Sequence, residues 1–251
     1  TGRGQNFAAS WHRAGPGGAN AQVTSGDEVM LIVLDGTVTI KGEGAQAQAQ
    51  NRSICILPPN AWQLALNPGV TCVVLTSLRE GATSGAVNES AYADRDPRIV
   101  PVGTPWRALR AGTDIRIFSI DSVSASKDKP RLKMLQTATL SINWVEYDGP
   151  RDRHALSPHS HSAFEQGSLA LAGDFVHHLR VEWGEDADAW RDDQHAQLGS
   201  PSLMVGPVHM IHTSEGVGPG RHLLIDVFSP PRADFIAKGW VANSADYAAP
   251  G

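Results

Sequence analysis

The chain has 251 residues, 41% of them hydrophobic, and a net charge of −5, enough apolar material for one large core or two smaller ones, since domains commonly run to roughly 100–150 residues. Its Lys and Arg residues are scattered rather than gathered into a basic stripe, which argues against nucleic acid as a partner. No apolar run reaches the roughly 18–20 residues of a membrane-crossing helix and the first residues lack the pattern of a signal peptide, so the expectation is a soluble, cytoplasmic protein with no membrane partner.

Taken in chain order, short runs rich in Val, Ile, Leu and Thr recur between Gly and Pro: EVMLIVL, TVTIKG, SICILPP and VTCVVLTSL in the first third, then IRIFSID and TATLSINWVEY, then GSLALAG, DFVHHLRVEW, SLMVG and HLLIDVFSPP. Many short strands divided by turn signals indicate an all-β sandwich or barrel. Only SGAVNESAYA and ADFIAKG read as short helices. Cys55 and Cys72 both lie within apolar runs, and two cysteines are too few for a disulfide framework, so they read as buried free thiols.

The pattern repeats. Glu28 stands eight residues before the hairpin glycine Gly36, and Glu165 eight residues before Gly173. In each half an apolar strand then ends in a proline turn, SICILPPNAW in one and SLMVGPVHMIH in the other. The offset between the halves is 137 residues at the glycines and 148 at Pro59 and Pro207, the difference falling in the acidic insertion GEDADAWRDDQHAQ. That insertion reads as a solvated loop or helical turn, with a lid as the sharper reading. The repeat divides the chain into similar β-domains at 1–95 and 96–251, joined through the polar stretch 79–99.

The second half carries SPHSHSAFEQG, with His159, His161 and Glu165 all odd-numbered. If the segment stays extended, the three side chains share one face and make half of a divalent-metal site. His212, just after the turn at Pro207, is the expected further ligand, with His209 as the other candidate. These residues resemble the cupin superfamily, and the repeat resembles a bicupin. HxHx(3–4)E followed by a glycine turn is matched by His159, His161, Glu165 and Gly173, with one extra residue before the glycine. PxGx2H is matched by Pro207 and His212, with His209 in the glycine slot and Gly216 where an Asn is usual.

The resemblance implies two double-stranded β-helix (jelly-roll) barrels, with one divalent transition metal held in the second by His159, His161, Glu165 and His212. Fe is favoured among Fe, Mn, Ni, Co and Zn, and one carboxylate would leave the ion a net charge near +1. The same alignment puts Gln22 and Thr24 where His159 and His161 stand, keeps Glu28, and sets Leu64 opposite His212. The first domain is therefore expected to be metal-free, supporting the second or forming the interface of a homodimer. Alternation in FVHHLRVEW aims His177 into the barrel and His178 outward, so His177 and His209 are the candidate catalytic residues.

Such a site can chelate a small molecule bearing a carboxylate, enol, 2-oxo or catechol-like group. The expected activity is that of a metal-dependent enzyme on a small-molecule substrate, dioxygenase-type oxidation slightly ahead of isomerase or lyase chemistry. The alternative is a non-catalytic small-molecule-binding protein.

Overall fold

The run EVMLIVL forms the strand Val29–Asp35, and its unbroken hydrophobicity has a simple cause. Successive side chains of a strand point to opposite faces. Here Val29, Leu31 and Val33 pack with Leu57, Trp62 and Leu64 on one side, while Met30 and Ile32 pack with Ile54, Val73 and Leu75 on the other. The strand is buried twice. The structure, a computed structural model, describes residues 1–109 and 114–250.

The strands build two antiparallel β-barrels, each a pair of facing sheets. In the first, a sheet ordered Gly2–Arg3, Phe7–Arg13, Thr71–Ser77, Val29–Asp35, Ser53–Leu57, Arg116–Ser119 covers one ordered Ala19–Ser25, Asn60–Leu66, Val38–Gly42, Ala45–Ala49. In the second, Leu132–Gln136, Ser141–Asp148, Arg221–Phe228, Gln166–Ala172 and Ser202–Gly206 cover Gln194–Leu198, Asp174–Arg180 and Ile211–Val217. The strand Arg116–Ser119 belongs to the first barrel's sheet, so strand pairing there continues well past residue 95. The expected short helices appear as a 3-10 turn at Glu89–Tyr92 and an α-helical turn at Ala233–Ala237. The acidic insertion is not all loop or helical turn, since its residues 194–197 lie in the strand Gln194–Leu198; Trp183, just before it, stacks on Trp190 with ring centroids 4.6 Å apart, and both are exposed.

The two larger sheets pack back to back. Met30, Ile32, Val73 and Leu75 of the first meet Ile142, Trp144, Leu169 and Ile225 of the second in a single buried cluster. The first barrel's interior is filled by Val29, Leu31, Leu57, Trp62 and Leu64, with Cys55 and Cys72 among them as buried free thiols. Burial raises both thiols to about 12. The second barrel holds a smaller apolar cluster around Ala170, Phe175 and Leu224 and leaves room for buried polar groups, His177 and His222 included.

The repeated glutamates lie between the barrels. The Glu28 carboxylate accepts hydrogen bonds from the Ala138 amide at 2.8 Å and the Tyr247 hydroxyl at 2.8 Å, and pairs with Arg116. The Glu165 carboxylate accepts from the Gln5 amide at 2.6 Å and the Tyr92 hydroxyl at 3.1 Å. Each glutamate thus binds a backbone amide of the opposite half and a tyrosine.

The tyrosines end a second repeat, NESAY at 88–92 and NSADY at 243–247. Asn88 brackets the Arg3 backbone, accepting from its amide at 3.0 Å and donating to its carbonyl at 2.8 Å. Asn243 does the same to Gln136, at 2.9 and 2.8 Å. Each strap therefore grips the first strand of its own sheet through Asn and the other half through Tyr. Burial pushes both phenols well above the usual tyrosine range, so they act as neutral donors.

Removing either hydroxyl leaves a buried carboxylate short of a donor, which costs about 1–3 kcal/mol. Tyr92→Phe and Tyr247→Phe should each lower unfolding free energy by that amount in urea titration; losses within about 0.5 kcal/mol of zero, the scatter of surface substitutions, would show that the straps do not hold the halves together.

Candidate metal centre

His159 and His212 face each other across a two-way backbone pair. The His159 amide donates to the His212 carbonyl at 3.1 Å, and the His212 amide returns the bond at 2.8 Å. The His209 amide donates to the His161 carbonyl at 2.6 Å. These bonds gather three imidazoles, with ring centroids 4.6, 5.0 and 5.4 Å apart. One nitrogen from each lies within 4.8 Å of the others. Exposure falls from His159 through His161 to the buried His212, so the cluster runs from the barrel's rim inward.

The tautomers follow from the neighbours. His159 Nδ1 lies 2.8 Å from the Ser157 carbonyl and His212 Nδ1 lies 2.9 Å from the Met210 carbonyl. A carbonyl can only accept, so each Nδ1 carries the proton and each Nε2 turns a lone pair outward, the arrangement that orients metal-binding histidines. His212 Nε2 is buried with no hydrogen-bond partner among the described residues. Burial pushes His161 down to about 4 and lowers His212 as well, so both rings are neutral near pH 7.

Glu165 does not join them. The chain bends at Ser162–Phe164 and the strand begins at Gln166, so the odd–even alternation through His159 and His161 does not carry on to residue 165. Gln166 turns inward, on the face of Ser168 and Ala170, while Glu165 turns toward the other barrel on the face of Gly167 and Leu169. Gln166 Oε1 lies 3.0 Å from His161 Nε2 and 3.3 Å from His159 Nε2. Its Nε2 donates to Asp226 at 3.0 Å and Ser168 at 3.3 Å, which fixes the amide with its oxygen toward the histidines. Burial raises the Asp226 carboxyl to about 6 and raises Glu165 as well. The extra residue between Glu165 and Gly173 was the signal: aligned on Gln166, the spacing to the glycine needs no insertion.

His177 lies where alternation expects it, fully buried in the second barrel. Its Nδ1 is 2.8 Å from Ser214 Oγ, and its Nε2 has no partner among the described residues. Burial lowers it to about 4. His209 instead is exposed at the turn with φ of 64°, the left-handed region, which explains why glycine suits that slot. Gly216 stands where Tyr147 and His222 crowd in, so that a Cβ there would meet the Tyr147 hydroxyl at 2.4 Å. Two features had no sequence signal. Phe164 and Phe228 pack on His161 with centroids 4.7 and 5.7 Å away, and the Arg232 guanidinium lies 5.1 Å from the centre of each of those rings.

In the first barrel Gln22 and Thr24 are exposed, and Leu64 is buried in the apolar interior. His159, His161 and His212 make the one metal-capable group of three or more found among the described residues.

The fold is that of the cupins, almost all β and built as double-stranded β-helix (jelly-roll) barrels. No protein-family model and no curated protein matches the sequence. Among solved structures the chain resembles AerE from Microcystis aeruginosa, with TM-score 0.57 and 11% identity, over 89% of this chain and 87% of that one. A deletion mutant of Bacillus subtilis oxalate decarboxylase gives 0.58 and 11%, over 91% and 70%. A glyoxylate-induced protein from Pseudomonas aeruginosa gives 0.55 and 13%, over 89% and 74%. No helix among the described residues is long and apolar enough to cross a membrane.

Two outcomes are expected of the isolated protein. His209→Gly relieves a left-handed residue and should raise unfolding free energy by about 1 kcal/mol; no gain in chemical denaturation would mean that the histidine side chain compensates through contacts of its own. The second concerns pH. His161 and His177 titrate near 4 when folded and near 6.5 when unfolded, so between those values the unfolded chain binds more protons. Stability of the metal-free protein should hold above pH 6.5 and fall between 6.5 and 4, by on the order of 1–2 kcal/mol per histidine after allowing for water at the rim. His177→Phe should flatten that slope in denaturation measured across pH.

Proposed function

We propose that this chain is a metal-dependent bicupin enzyme whose second barrel alone holds a divalent transition metal, bound by His159, His161, His212 and the Gln166 amide oxygen. The observation that carries the proposal is the convergence of three imidazoles, with the Nδ1 protons of His159 and His212 held by backbone carbonyls and the Nε2 of His212 buried with no partner among the described residues. Imidazole nitrogen with oxygen suits Mn, Fe, Co, Ni or Zn. The oxalate decarboxylase neighbours support a metal of this row, one of them being described for its Mn(II) centres.

Replacing Glu165 by Gln166 changes the electrostatics. Four neutral donors leave the ion its full +2 charge rather than the +1 that a carboxylate would leave. Such a centre favours an anionic oxygen chelate, a small carboxylate, 2-oxo acid or enolate. Arg232 lies near His161, but its guanidinium is paired with Asp234 through two bonds of 2.7 Å, so the metal would be the main positive charge facing the substrate. A bound carboxylate would also have eased oxidation of the ion, so its absence weighs toward isomerase or lyase chemistry over dioxygenase chemistry. When bound, the metal supplies a Lewis acid that polarises the substrate oxygen. His177 offers an unpartnered Nε2 inside the barrel, an acceptor when the Ser214 hydroxyl accepts from Nδ1 and a donor when that hydroxyl donates, for a substrate hydroxyl or a migrating proton.

Elemental analysis of protein purified without chelator tests the ligands. About one equivalent is expected in the barrel, lost in His161→Ala and His212→Ala, retained in Glu165→Gln, and bound at least as tightly in Gln166→Glu. Metal loss in Glu165→Gln with none in Gln166→Ala would restore the carboxylate as ligand. For the reaction, solvent-deuterium exchange into 2-oxo acids and enols is the expected activity, whereas substrate-dependent oxygen consumption would reverse the order in favour of a dioxygenase.

A further inference from the structure

The three-stranded wall of the second barrel carries another histidine pair, on its outer face. Alternation along Asp174–Arg180 turns Phe175 and His177 inward and His178 outward. His178 lies directly opposite His195 on the edge strand Gln194–Leu198. Their Nδ1 atoms are 2.7 Å apart. On its far side His178 Nε2 lies 2.9 Å from one oxygen of Glu215, and Arg153 holds the other oxygen at 3.0 Å. Glu215 is only 4% exposed, so the carboxylate is a fixed partner rather than a mobile surface group.

We propose that His178 and His195 form a second, surface transition-metal site, selective for Cu(II) or Ni(II) and independent of the centre inside the barrel. The geometry supplies three of the features a metal-binding histidine needs. First, a ring proton on His178 Nε2 given to Glu215 leaves Nδ1 as a lone pair, the carboxylate–histidine–metal arrangement. Second, two nitrogens bound at right angles about 2.0–2.1 Å from one ion sit roughly 2.9 Å apart, whereas tetrahedral ligands sit nearer 3.4 Å. A separation of 2.7 Å therefore matches the bite of a square-planar or octahedral ion once each ring turns its lone pair from the other nitrogen toward the ion.

Third, the pair is open to water on the His195 side, leaving the remaining positions to solvent. Without metal, one Nδ1 proton joins the two rings. On binding, that proton passes to the exposed His195 Nε2, so that both Nδ1 lone pairs face the ion. The ion would pin the edge strand Gln194–Leu198, which closes the acidic insertion, to the strand behind it.

The test uses the full chain, with Ni(II) and Cu(II) alone as probes. Calorimetric titration should show two sites in the unaltered protein. His195→Ala, a change at an exposed position, should weaken one of them at least tenfold, and Glu215→Gln should weaken the same site by about tenfold or more. His161→Ala should remove the barrel equivalent and leave this one, with a Cu(II) electron paramagnetic resonance spectrum showing two coupled nitrogens. Unchanged stoichiometry and affinity in His195→Ala, or a Cu(II) spectrum in the His161→Ala protein that lacks two-nitrogen coupling, would overturn the proposal. Neither result depends on the reaction assigned to the barrel.

Discussion

The alternation of side chains along strands buried on both faces governs this molecule. At residues 165 and 166 it separates two tasks by one position: Glu165 faces the other barrel, and Gln166 faces the histidines. A shift of one residue would send the carboxylate to the histidines and the amide to the interface. Such a shift is resisted by the register of Gln166–Ala172 with both its neighbours, since Leu169 would have to leave the inter-barrel core. The composition of the site is thus decided by the packing of the two halves.

That coupling gives the repeated glutamates a common role. Glu28 and Glu165 are equivalent in the repeat, and both are spent on the contact between barrels, each capped by a tyrosine at the end of an Asn-bounded strap. Tyr92 and Gln5 therefore hold the residue next to Gln166, and the wall of the centre is braced from the opposite half. The two interiors have diverged instead. The first is closed by Trp62, Leu64 and Val29, where Val29 follows Glu28 as Gln166 follows Glu165. The second keeps imidazoles that burial holds neutral, the form in which they bind metal.

The same alternation gives the strand Ile211–Val217 two chemistries. His212 and Ser214 point into the barrel, toward the histidine cluster and His177, while Glu215 points outward to His178. One strand therefore contributes to an interior site of gathered Nε2 atoms and to an exterior pair of Nδ1 atoms, with the sheet between them. The three-stranded wall, lacking the inter-barrel packing of its larger partner, is the surface on which such a pair can remain accessible.

Much was readable from the chain. Short Val- and Ile-rich runs between Gly and Pro determined an all-β fold, because such residues fit a pleated, half-buried surface and the punctuation leaves no room for long helices. The 137-residue echo of Glu28 and Gly36 in Glu165 and Gly173 determined two barrels, and HxH with a histidine after a proline turn pointed to the three imidazoles that the fold brings together. Period two correctly sent His177 in and His178 out, since that strand is unbroken. It failed at Glu165 because a bend at 162–164 resets the phase, and no local pattern records a bend of that kind. Which residue of the pair Glu165–Gln166 meets the histidines, why both glutamates persist, and how His195 comes to stand opposite His178 were decided only by tertiary structure. Each depends on partners between 17 and 219 residues away, whose positions are set by the packing of whole sheets rather than by neighbours in the chain.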